Sequence, residues 1–139
     1  MLQPKKQKFR RLHRQRGKFA GNAHKGTALA FGTSGLKAMS TGEISSRQIE
    51  SARRVLTKYT TRGGKVWVTI FPHTPITRKA AEVPMGGGKG SPEFFTTLVK
   101  PGRIMFEMEG LETEIMAKAL KSAGYKLSVK CKVISKLKK

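Results

Sequence analysis

A chain of 139 residues with 29 Lys+Arg, eight acids and a net charge of +21 is about one domain long. It repels itself unless a polyanion supplies counter-charge, and nucleic acid leads the candidates. A single cysteine, Cys131, excludes an internal disulfide framework, and the lack of any apolar run of about 18 residues excludes a membrane-spanning helix.

The basic charge begins at once. There is no Asp, and ten Lys/Arg residues precede the first Glu, Glu43. Residues 1–26 are rich in charge and poor in branched apolar side chains. They cannot bury enough apolar area to offset ordering entropy, so they read as an arm that orders on its partner. The segment has no apolar core of a secretory signal, and its charges do not lie beside a clean apolar helix face, as a mitochondrial presequence would require. The bacterial cytoplasm is the expected location, with an organelle left open.

Residues 27–134 read as one α+β domain. Leu29-Ala30-Phe31 and Leu36–Met39 read as short strands around a Gly32–Gly35 turn. Ser45 and Gln48 form a capping-box pattern, and Ile44 with Ile49 is the matching hydrophobic staple. The helix they start carries Ile49, Ala52, Val55, Leu56 and Tyr59 on one face. At about 100° per residue, Arg47, Arg54, Lys58 and Arg62 gather on the other. Gly63-Gly64 reads as its stop. With no run of acids to balance it, the basic stripe points to phosphates.

Val66–Phe71 reads as a strand ended by Pro72. Residues 72–92, with four prolines and a glycine cluster, read as a long functional loop, with its Gly-rich part at 82–92. Phe94–Val99 and Arg103–Met108 read as strands joined through a Pro101-Gly102 turn. A second helix runs from about Glu112 to Ala123, with Ile115, Met116, Ala119 and Leu120 inward and Gly124 as its stop. The alternation of Leu127, Val129, Cys131 and Val133 marks a last strand, and residues 135–139 a basic tail. The expected architecture is a two-layer sandwich, with two helices on one face of a mostly antiparallel sheet.

Catalytic chemistry finds no anchor. Glu107 and Glu109 stand two apart on a strand and read as solvated charges on its outer face. His13, His24 and His73 are scattered and, with one Cys, make no zinc set. In Met85-Gly86-Gly87-Gly88-Lys89-Gly90-Ser91, Lys89 is followed by Gly90 where a nucleotide-binding loop needs Ser or Thr. The glycines still permit close approach to a nucleic-acid backbone. No cofactor, metal, membrane or small-molecule substrate is expected. A free architectural nucleic-acid binder or RNA chaperone is the competing reading, and an RNA-modifying enzyme a third.

Several segments in chain order resemble a known family. They are Met1–Lys6 with Lys8-Phe9-Arg10 and His13-Arg14, Ala30-Phe31-Gly32 with Gly35–Ala38, and Ile44–Arg54. Arg62–Trp67, Phe71-Pro72, Pro75-Ile76-Thr77, Met85-Gly86 with Gly88–Glu93, and Val99–Ile104 follow. Together they are similar to the universal large-subunit ribosomal protein family number sixteen, in its bacterial or organellar form. The resemblance implies an α+β sandwich with a hammerhead-like β extension and no catalysis. It implies binding to 23S rRNA through the arm (Lys5, Lys8, Arg10, Arg11, Arg14, Arg16) and the first helix (Arg47, Arg53, Arg54, Lys58, Arg62). It implies neighbouring large-subunit proteins as partners. It also implies that Met85, Gly86, Gly87, Gly88, Lys89 and Gly90 face A-site tRNA near the peptidyl transferase centre, with contact to P-site tRNA left open. Where many members carry Arg before the loop Met this chain has Pro84, and where they often carry Lys it has Gly87. Phe94-Phe95 replaces their usual Tyr-Trp. The first two changes, Pro84 and Gly87, make the loop tip less basic.

Overall fold

A computed structural model describes residues 1–14, 20–61 and 63–136. The elements, in chain order, are β1 (Ser34–Ala38), β2 (Gly42–Ser45), α1 (Ser46–Tyr59), β3 (Lys65–Val68), β4 (Thr74–Arg78), β5 (Ser91–Val99), β6 (Ile104–Glu109), α2 (Thr113–Gly124) and β7 (Cys131–Ser135). The α+β class and the antiparallel pairing match expectation, but the strands divide into two sheets. One runs β3-β6-β1-β7 and the other β2-β5-β4. The two helices pack on each other, α2 against the four-stranded sheet and α1 against strands of both.

The α1 start is local and follows from its sequence. Ser45 accepts from the Gln48 amide, and the Gln48 side chain accepts from the Ser45 amide, which closes the capping box. Ile49, Ala52 and Leu56 then reach the core beside Leu36, Phe106 and Leu120. The helix ends sooner than the glycine pair suggests. Its C-cap is Thr60, whose amide and hydroxyl both donate to the Thr57 carbonyl at 3.1 Å. Gly63, at φ 113°, instead turns the chain toward β3.

Other expectations change for tertiary reasons. Leu29–Phe31 forms no strand, because the Ala30 and Phe31 amides turn to the Glu107 side chain rather than to a neighbouring backbone. Ser34 and Gly35 belong to β1 rather than to a turn, and β2 was not anticipated. Strand β3 stops at Val68. The stretch 72–92 is not structureless, since β4 lies inside it and pairs with the first half of β5. Pro75 sits within β4, which is an edge strand, where a missing donor is tolerated.

Pro101-Gly102 joins no hairpin. It passes the chain from one sheet to the other, and the Gly102 amide donates to the Ala38 carbonyl at 2.7 Å. Ile115 is 38% exposed, and Ala123 takes its inward place, four residues after Ala119. Gly124 is the last residue of α2 rather than a left-handed stop, since Tyr125 continues in the right-handed region. Strand β7 begins only at Cys131, after a bend. It is an edge strand carrying Lys132 outward.

The largest departure is Glu107. It lies in the strand between β3 and β1 and is 1% exposed rather than solvated. Residues 26–32 cover that face of the sheet. Leu29 fills the space over Gly35, where a Cβ would stand 2.5 Å from its Cδ2.

Candidate nucleic-acid interface

The apolar face of α1 turns inward, so its opposite face is left to solvent. Arg47, Arg54 and Lys58 are exposed there, while Arg62 lies outside the described residues. Arg53 is different. It forks onto Glu50 with Nε at 2.9 Å and Nη2 at 2.6 Å. Arg54 reaches the same carboxylate at 3.3 Å. The Arg53 hydrogen bonds, opposed by desolvation and helped by Arg54, hold the Glu50 carboxyl at about 2. Arg53 and Arg54 therefore share one anion. Among the described residues no ion pair engages Arg47 or Lys58, so these keep their whole charge for an external phosphate.

The arm runs from α1 to the Gly-rich loop along the three-stranded sheet. Met1 and Leu2 border a cleft with Glu50, Arg53 and Phe71. Gln7 donates to the His73 carbonyl at 2.8 Å, and Arg11 Nε to the Gly90 carbonyl at 3.2 Å. Arg14 grips Glu43 with Nη2 at 2.6 Å, and this hydrogen bond pushes the Arg14 pKa further up. Lys5, Lys8 and Arg10 stay exposed, with the Lys8 ammonium 5.5 Å from the Phe9 ring centroid. Arg16 falls outside the described residues.

The loop between β4 and β5 is exposed throughout residues 80–89. Gly86, Gly87 and Gly88 all have positive φ, from 75° to 105°, and a Cβ on any of them would meet nothing within 4 Å. Backbone conformation, not space, requires glycine there. Met85 projects fully into solvent. Lys89 bends back and donates to the Leu12 carbonyl, while Lys79 holds the Gly86 carbonyl. The structure thus brings Arg11, Gly90, Lys89 and the Leu12 backbone together. It keeps the α1 stripe as a separate basic surface.

Sequence reasoning missed four residues that shape this surface. Glu50 was detectable, because Arg53 and Arg54 stand three and four residues after it on one helix. Glu43, Arg103 and Glu107 were not, since each acts on backbone or side chains far away in the chain. Arg103 donates to the Lys25 carbonyl at 3.2 Å and the Thr69 carbonyl at 2.8 Å.

Comparison with known proteins identifies the family. Residues 4–134 match the family described as Ribosomal protein L16p/L10e. The chain is also similar to a protein of Exiguobacterium sibiricum named Large ribosomal subunit protein uL16. The two are 52% identical over 136 residues, covering 98% of this chain and 92% of that protein. With nearly the whole chain matched on both counts, this protein belongs to the ribosomal protein L16p/L10e family and is a structural component of the ribosome, not an enzyme.

Proposed function

We propose that this chain is built into the large ribosomal subunit in the cytoplasm and binds 23S rRNA through its arm and the basic face of α1. The three-stranded sheet serves as the hammerhead-like extension. It carries the Gly-rich loop toward A-site tRNA and so supports tRNA positioning near the peptidyl transferase centre. Neighbouring large-subunit proteins complete its surroundings. The observation that carries this reading is the colinear family match over residues 4–134, combined with basic residues that stay exposed where the family's motifs fall.

Physics supports each assignment. Arg47 and Lys58 offer unpaired charge to phosphates, and positive-φ glycines let the loop backbone approach RNA closely. Structured RNA is recognised mainly by shape and backbone, which suits a surface of cations rather than a base-reading cleft. Arg11 and Lys89 tie arm and loop together, so RNA that orders one orders the other. Sucrose-gradient sedimentation tests the reading. The protein should travel with large subunits, and recovery only at the top of the gradient would refute it. Crosslinks from Arg54 and Lys89 should fall in confined regions of large-subunit rRNA, whereas dispersed cellular RNA would favour a free RNA chaperone.

A further inference from the structure

We infer that Phe31 and Trp67 form a stacking platform for one unpaired RNA base, an inference that deepens the rRNA-binding reading and rests on it. The two rings lie 6.0 Å apart at 19°, in stacked geometry. Phe31 is nevertheless 60% exposed. A large aromatic side chain left this open contributes little to the core, yet its position is tightly held.

Three contacts hold it. The Ala30 and Phe31 amides donate to the two oxygens of Glu107, at 2.7 and 3.3 Å. Glu107 is itself fully buried and stands opposite Trp67 in the β3–β6 register. One residue on, a Cβ at Gly32 would come 2.5 Å from the Met108 carbonyl, so the backbone is pressed onto the sheet. A buried carboxylate is costly to desolvate, and here both its oxygens serve to fix the backbone under an exposed ring.

The rings border a cavity of about 440 Å³ lined by Ala28, Ala30, Val68, Ile104 and the Arg103 side chain. The lining is mainly apolar, and several of its polar groups are engaged within the protein. Glu107 serves the Ala30 and Phe31 amides, Thr69 Oγ1 donates to the Ile104 carbonyl, and Arg103 bonds the Lys25 and Thr69 carbonyls. Such a site offers more flat apolar surface than polar groups to read a base edge. It suits a flat π-face of any identity, with the Arg103 cation beside it. The occupant is an RNA base rather than an apolar peptide because the surrounding chain carries +21, which favours a ligand bearing phosphates. The exposed acid close by, Glu109, is registered opposite Lys65.

Trp67 is the chain's single tryptophan, so its emission reports the site alone. The full chain is titrated with a short single-stranded RNA and with the same strand bearing abasic riboses, which keeps the phosphates. Quenching should occur with bases and vanish with the abasic strand. Phe31→Leu should weaken binding of the base-bearing strand roughly 5- to 150-fold, the range for one lost base–aromatic stack. Phe31→Tyr should keep it, and matching circular dichroism would show that both variants fold. Equal quenching by the abasic strand, or no effect of Phe31→Leu, overturns the platform. Because this titration uses the isolated chain, its failure is distinct from failure to sediment with large subunits, which would strike the ribosomal reading instead. Quenching by an apolar peptide but not by RNA would assign the platform to a protein neighbour and overturn it equally.

Discussion

Replacing Glu107 by Gln tests whether a buried carboxylate anchors the segment that covers the second face of the four-stranded sheet. In the protein its two oxygens accept from Ala30 and Phe31. The amide of Gln keeps one acceptor and turns a donor toward the other N–H. One charge-assisted bond is lost, and a second becomes a neutral one. A hydrogen bond to a charged group contributes about 1.5–3 kcal/mol, while relief of the buried charge offsets part of the loss. Ala30 and Phe31 lie near the surface, so water can rescue the freed amide. The net cost is about 1–2 kcal/mol. For a domain of this size each kcal/mol lowers Tm by roughly 3–5 °C, so Glu107→Gln should melt about 3–10 °C lower. Thermal unfolding followed by circular dichroism measures this. Trp67 emission should shift to the red before the global transition, as Phe31 leaves its stack. A Tm within 1 °C of the parent, with unchanged emission, would refute the anchoring role.

Other predictions concern the helix and its charges. Ser45→Ala removes the capping-box acceptor and should cost about 1 kcal/mol in chemical denaturation, with an unchanged m-value. Because the Glu50 carboxyl is depressed to about 2, its contribution is fully present above its unfolded value near 4.3. It is lost as pH falls toward 2. Stability measured between pH 5 and 2 should therefore drop less steeply in Glu50→Gln than in the parent, and parallel curves would sink the assignment. Binding to large-subunit rRNA should weaken with salt at a log–log slope of roughly −6 to −7 if about eight phosphates are neutralised. Arg47→Ala and Lys58→Ala should each reduce that slope by about 0.7–0.9, and Arg53→Ala by less, since Glu50 already holds that guanidinium.

Local signals were readable. The Ser45–Gln48 box, the inward Ile49, Ala52 and Leu56 and the exposed Arg47, Arg54 and Lys58 all depend on spacing within one helix. Helical geometry converts that spacing into faces without help from the rest of the chain. The strand ending at Val99, from Phe94 on, and the strand from Ile104 were found for a similar reason, since β-branched and aromatic runs mark extended backbone, but the first residues of β5, Ser91–Glu93, were read as loop or left unassigned beside the glycine cluster. Their partners were not found. The same alternation serves a strand in either sheet, and only long-range hydrogen bonding sent β5 to β2 and β4 and β6 to β3 and β1. β4 was missed because four prolines and a glycine cluster argued for loop, although an edge position tolerates Pro75.

Charge divides along the same line. Its excess, its early onset and the absence of Asp are properties of composition, and they name a polyanion before any fold is known. Which cations remain available is decided by folding. Arg14 meets Glu43 across 29 positions, Lys89 meets the Leu12 carbonyl across 77, and Glu107 meets Ala30 across 77. A contact between distant positions leaves no period in the sequence, so Glu107 looked like a solvated neighbour of Glu109 until the sheet buried it. The chain order of motifs was enough to place this protein in its family. The three-dimensional packing alone fixed an exposed phenylalanine over a buried carboxylate and joined the arm to the loop.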